Sequence, residues 1–585
     1  MRGRGLPRPN LEEAPPPPRV LVWFLLATCV FAPVFSTARP QSSSMPKRRT
    51  VRSLEWLCLE NVAKNIQRIW AKACAENHQD GHRVRSVAEP YICLPDSLVQ
   101  KLFKLMEEGN HLNRPVLRFL LVPQLTVLSL NTCPRLVIKA IADIIAVRCK
   151  NLSSLDIRGC CRIPADSLVD LVKALPSLIQ LNLSDTQCNA RVLAAVGSHC
   201  RQLLELDVVD CSRLSPECLL HLAYDPATGL LRSPALKVLR ARYLMGRPLL
   251  QCMVQHLVFL LLALRSLTVL DHPFVLEAVC AIYRRQFDDI PVAPEFPSLE
   301  ELARRRMSAH SGHGLTLTLT ELDDVALSCL PAALAVCPHL ADVTLILEGS
   351  PGFGQDFASW RHISCLTLDN DSQCDVADLL PMAAALGAQL HSLSLSGFLC
   401  EDASSFWTFL GHCLNLRKLV ANLPPPAVCA PDDDDDEEEE MVEDLEENFS
   451  PAPHQFPHLR HIFLMYPDSE GPLPSQHKAV FRACLVSLLR HSPQLESLLL
   501  ACLPFSLDSV FEQVLEPPAT ALTRLQKLSL METRVSGSTI HLLLSSENQL
   551  SFLDVPACSR IFRADYDDFL RRVRSEGLDM EISWE

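Results

Sequence analysis

The sequence predicts an α/β solenoid, with short parallel strands along a concave wall and helices outside it. A strand-length pattern of aliphatic residues recurs at 125–130, 152–157, 178–183 and 203–208, a step of 25 to 27 residues each time. Between these stretches run apolar stripes at helical spacing, such as Ile138, Ile141, Ile144, Ile145 and Val147, then Leu168, Leu171, Val172 and Leu175. A strand–turn–helix unit of this size cannot bury its apolar side alone, so the units must stack. With 48% hydrophobic residues, 21% charged residues and only 19 Gly in 585, the chain has ample material for a core.

Residues 1–50 read as a leader, disordered or signal-like. Residues 20–38 follow Arg19 with an apolar run that ends in small residues, as a secretory signal does, but Glu12, Glu13 and the Pro15–Pro18 tract precede it. Pro33 interrupts the run, so no stable membrane span is expected. Two readings stay open: secretion after cleavage near Ala38, or a functional chain that starts at Met45 and works in the cytoplasm or nucleus. The second suits the 24 Cys, which fall at repeat-like intervals and read as reduced thiols.

Residues 51–116 read as a helical segment. A first helix over 51–73 aligns Leu54, Cys58 and Val62 four residues apart, joined by Leu57 and continued by Ile66, Ile69 and Ala73. A polar break follows at 77–82; Cys74, His78 and His82 lie in or beside it without a fourth ligand, so no metal site is expected. Leu94 and Pro95 then lead a helix to Glu108 whose Leu98, Leu102 and Leu105 share a stripe, and a linker runs through Asn110 and 113–115.

Residues 117–423 carry the repeats. Beyond the regular four, the pattern continues at Leu236/Leu239, Leu264/Leu267, Leu340/Val343/Leu345, Ile363/Leu366/Leu368, Leu390/Leu393/Leu395 and Leu416/Leu419. Arg304 to Gly314, with His310 and His313, reads as an irregular surface insertion. Cys133, Cys160 and Cys211 fall just after strands, while Cys149 and Cys200 close helices; buried thiols there act as small apolar plugs. Residues 424–455 read as an acidic disordered insertion, with 13 Asp and Glu between 432 and 447 that repel one another. Residues 456–585 resume the array at Leu459/Ile462/Leu464, Leu495/Leu498/Leu500, Leu525/Leu528/Leu530 and Leu550/Leu553/Val555, for at least 14 units, with a capping helix around Tyr566 to Val573.

A net charge of -14 and a pI near 5.8 argue against nucleic acid as the main ligand, although a local basic patch is compatible with them. The sequence holds no phosphate-cradling loop, zinc-spaced cysteine pairs, His-Glu-x-x-His or Gly-x-Ser-x-Gly elbow, so neither an enzyme nor a cofactor is expected.

The run from Ser53 to Val62 resembles the elongin-binding box of ubiquitin-ligase receptors, and Leu94-Pro95-x-x-Leu98-x-x-x-Leu102 resembles their cullin-2 box. In this order before leucine-rich repeats, the two resemble the Zyg and Zer type of receptor over residues 53 to about 220, with cysteine-containing repeats like those of intracellular ligase receptors. The resemblance implies a non-catalytic adaptor that binds elongins B and C through Leu54, Cys58 and Val62, and cullin-2 through Leu94, Pro95, Leu98 and Leu102. The repeats would present protein substrates. Those relatives carry an armadillo-like region after their repeats, whereas this chain stays repeat-like, so recognition of N-terminal glycine is not carried over. Leu94-Pro95-x-x-Leu98 also resembles an F-box entrance, but the first repeat begins at Leu125, too soon for that domain. A secreted or cell-surface leucine-rich-repeat binding module is the alternative of a different class, favoured by residues 20–38.

Overall fold

The computed structural model describes residues 53–66, 94–232, 235–244, 250–287, 292–308, 315–347, 357–370, 374–424, 454–467, 474–516 and 521–584. The chain divides into two compact units, 1–44 and 45–585, and all described residues belong to the second. The signal-like run, Ile69, Ala73, the Cys74/His78/His82 group, His310, His313 and the acidic run 432–447 lie outside the described residues.

The repeats build two parallel sheets of a leucine-rich-repeat solenoid. The first has six strands: β1 (Val127–Ser129), β2 (Ser154–Asp156), β3 (Gln180–Asn182), β4 (Glu205–Asp207), β5 (Val238–Arg240) and β6 (Val269–Asp271). The second has ten: β7 (Glu321–Ala326), β8 (Asp342–Leu347), β9 (Cys365–Asn370), β10 (Ser392–Ser396), β11 (Lys418–Asn422), β12 (His461–Met465), β13 (Ser497–Ala501), β14 (Lys527–Met531), β15 (Phe552–Asp554) and β16 (Glu581–Ser583). Each strand pairs in parallel with its predecessor in chain order within its sheet, so Leu128, Leu155, Leu181, Leu206, Leu239 and Leu270 fall in one row. In the second sheet, Leu322, Val343, Leu366, Leu393, Leu419, Ile462, Leu498, Leu528, Leu553 and Ile582 continue the principle. These side chains are buried, and each buried aliphatic contributes about 1.5–3 kcal/mol, which is what holds the register. At the junction, Thr320 N donates to Thr268 O (2.8 Å) and the Thr318 hydroxyl to Leu267 O (2.7 Å).

Thiols fill the turns. Cys160 and Cys211 are fully buried just after β2 and β4, and Cys211 Sγ donates to Leu183 O at 3.1 Å. Cys149 and Cys200 end the helices Lys139–Arg148 and Ala190–His199, their backbone N–H groups reaching Ile145 O and Val196 O. Burial pushes the Cys149, Cys160 and Cys200 thiols up to about 12, so they are inert plugs rather than nucleophiles. One glycine is indispensable: Gly397 has φ +77°, and a Cβ there would lie 2.0 Å from Asn370 O.

Several elements differ from the sequence expectation. The sixth strand centres on Leu270 rather than Leu267, because Leu267 occupies the place that Leu236 has one repeat earlier. Strand β7, built on Leu322, and strand β16, built on Ile582, were not anticipated; β16 follows the helix Arg563–Glu576, which therefore is not the last element. Arg304 to Arg306 belong to a helix, Leu299–Ser308, not to an irregular insertion. Arg306 is buried, and its guanidinium donates to Leu261 O (2.6 Å), Leu262 O (3.2 Å) and Thr316 O (2.9 Å), satisfying carbonyls that would otherwise be orphaned at the end of the helix Leu250–Ala263. The expected linker at 113–115 is the start of a helix, Arg114–Leu120, because the Asn113 side chain caps Val116 N and Pro115 fits the first turn. Among the described residues, no helix is long and apolar enough to cross a membrane.

Candidate docking site on the first helix

The first helix, α1 (Leu54–Asn65), starts where the Ser53 side chain accepts a hydrogen bond from Trp56 N (3.1 Å). It packs on α2 (Asp96–Glu108), and α3 (Arg114–Leu120) leads from there into β1. Two apolar stripes compete on α1. Leu59, Ala63 and Ile66 are turned to the core, at 8%, 3% and 0% exposure. Leu54, Leu57 and Val62 are turned outward, at 77%, 46% and 37%, with Cys58 exposed beside them.

Ile66 therefore does not continue the Leu54 stripe. Each four-residue step overshoots a helical turn by about 40°, so Ile66 stands about 120° round from Leu54. Leu54, Cys58 and Val62 do share one face, and it is a solvent face rather than part of the core.

On α2, Pro95 is the N-cap residue and is exposed, while Leu94 and Leu98 are half-buried against the core. Leu102 is fully buried with Val99, Phe103 and Met106, so the structure does not present it as a contact residue. The four-residue spacing from Leu98 to Leu102 rotates the second leucine into the interface with the first repeat. That interface is tight: Gln124 Nε2 donates to Leu94 O (2.6 Å), the Thr126 hydroxyl to Asp96 and the Gln100 amide to Val127 O. Across the two helices, Lys101 Nζ lies 2.5 Å from Glu55 Oε1, a pairing that no box pattern signals.

The strand residues that alternate with the buried leucines face the opposite, concave wall. Around the sheet junction they are acidic. Arg242 bridges Asp271 and Asp323, the latter at 2.8 Å, and Glu321, Asp323, Asp324 and His272 line the same recess. Burial, reinforced by Asp323, raises the carboxyls of Glu321 and Asp342 above the usual range. Among the described residues, no group of three His, Cys, Asp or Glu is placed to hold a metal ion.

No family model matches the chain, and no curated protein matches it. Among solved structures it is similar to one described as the crystal structure of the Rad7 and Elc1 complex in yeast, at 16% identity and a TM-score of 0.30, covering 88% of this chain and 96% of that one.

Proposed function

We propose that this chain is a non-catalytic substrate-recognition adaptor of a cullin-2 ubiquitin ligase, binding elongin C through α1 and presenting protein substrates on its repeats. The observation that carries the reading is the outward stripe of Leu54, Leu57, Cys58 and Val62 on a helix whose other face already packs in the core. A folded helix gains nothing from an exposed leucine at 77%. A partner's groove gives that side chain a reason, and the slim Cys58 lets the two backbones approach. The cullin contact rests on Pro95 with the outer edges of Leu94 and Leu98, Leu102 serving to seat the helix. Ubiquitin transfer belongs to other subunits.

Co-purification of elongins B and C with the full chain from cell lysate tests this. Leu54→Ala, or Cys58→Phe to overfill the groove, should abolish it, while Pro95→Ala with Leu98→Ala should weaken only cullin-2. Elongin never found with the unmodified chain, or retained by both α1 variants, would overturn the proposal.

A further inference from the structure

Arginines recur at one position of the loops that follow the strands: Arg135, Arg162 and Arg213 each stand two residues after the cysteine of their turn, in the first, second and fourth repeats. All three are exposed, and none has a carboxylate within ion-pair distance among the described residues. Arg114 and Arg191 bring two further guanidinium groups to them. Arg114 Nη2 and Arg162 Nη1 both lie 3.4 Å from the carbonyl oxygen of Arg135, so two cations are held within twice that distance of each other. Arg162, Arg191 and Arg213 line one open concavity of about 550 Å³ together with Gln187 and Asn189. Its described acidic lining residue is Asp166, already engaged with Arg191 at 2.7 Å.

Asp166 is taken up by Arg191 and the exposed Asp185 and Asp210 of the neighbouring loops form no ion pair with Arg135, Arg162 or Arg213, so these guanidinium groups still repel one another, and an anion laid across them turns that repulsion into attraction. We infer that this ridge of loops is a recognition site for a carboxylate-rich segment of another protein, bound in extended form with its side chains forked by Arg135, Arg162 and Arg213. Strands about 4.8 Å apart place Arg213 roughly 14 Å from Arg135, which an extended peptide crosses in about four residues. A peptide fits better than nucleic acid because its anionic run can be as short as the ridge, whereas the unbroken charge of a polyphosphate continues past it and meets repulsion from Asp156, Glu205 and Asp207 on the adjoining wall. The ridge shares no residue with the docking stripe of α1, so each reading can fail alone.

The test is fluorescence polarisation with a labelled nonapeptide of five Asp and four Glu, titrated with the full chain. Binding should weaken as salt rises and fall at least tenfold when Arg135, Arg162 and Arg213 are all changed to Glu. Arg162→Gln alone should cost a few-fold, and Lys418→Glu, on the second sheet, nothing; circular dichroism checks that each variant stays folded. Absence of peptide binding, equal binding by the triple variant, or tighter arginine-dependent binding of a single-stranded oligonucleotide of equal charge would overturn the inference.

Discussion

The Lys101 ammonium lies 2.5 Å from the Glu55 carboxylate and ties the two N-terminal helices together across their exposed edge. Both side chains are about half exposed, at 57% and 50%, so solvent screens the pair and it is worth at most about 1 kcal/mol. Lys101→Ala should accordingly shift the thermal midpoint little. Leu59→Ala, which empties a buried position on the same helix, should cost about 2–4 kcal/mol of local stability, read by hydrogen exchange over residues 54–65. Leu54→Ala, at 77% exposure, should change neither.

Leu102 and Leu98 separate seating from docking on α2. Leu102→Ala should destabilise by about 2–5 kcal/mol, because the side chain is fully buried, and Leu98→Ala by less. Chemical denaturation of each variant measures the difference; equal losses would contradict the burial.

Gly397→Ala combines a left-handed backbone with a clash at Asn370 O, where the Cβ would stand only 2.0 Å away. A backbone atom cannot swing aside as a side chain can. A loss of about 2 kcal/mol or more is expected, against a few tenths for the same change at Gly577, whose Cβ position is open although its φ is also positive, beyond the backbone strain the two sites share.

Burial holds the His272 imidazole down at about 4, with Asp271 pulling up and Arg242 pushing down more weakly. Its folded value lies below the unfolded value near 6.5, so the unfolded chain takes up the proton first as pH falls. The stability that neutral His272 provides is full above pH 6.5 and drains between there and about 4, on the order of 3 kcal/mol in all. His256, His461 and His477 are shifted the same way by burial and steepen the loss, while the raised Glu321 and Asp342 oppose it. His272→Asn, which can still accept from Phe274 N, should flatten the pH dependence of the melting temperature over that window.

Thiol labelling with iodoacetamide at pH 8 should modify the exposed Cys58 and Cys161 in the native protein and spare Cys149, Cys160 and Cys200. Mass spectrometry of the digested protein reads the sites. Rapid labelling of Cys160 without unfolding would show that the turn beneath β2 opens.

Much of the solenoid was legible because each repeat spends a buried leucine at a fixed offset, and Leu128, Leu155, Leu181 and Leu206 announce themselves by period alone. The misplacement at Leu267 arose where the leucine run from Leu260 to Leu264 offers several frames, and only pairing with Leu239 selects Leu270. Strand β7 was hidden because Asp323 and Asp324 follow Leu322, its second residue, and put two charges in the middle of the strand. On α1, spacing revealed the stripe of Leu54, Cys58 and Val62 but not the second stripe of Leu59, Ala63 and Ile66 that faces the core; that depends on α2, whose partner side chains lie far along the chain. The arginine ridge escaped the sequence reading; its trace there is a recurrence of Cys-x-Arg, whose meaning requires knowing that those loops lie side by side.

The bonds from Gln124, Thr126 and Gln100 to Leu94, Asp96 and Val127 fasten α2 directly to the edge of the first strand. Anything held by the first helices and anything held by the repeats is therefore separated by a whole number of strand steps, each about 4.8 Å. The array works as a gauge: removing one entire repeat would bring a bound cargo one step nearer the N-terminal helices while leaving the grip at either end untouched.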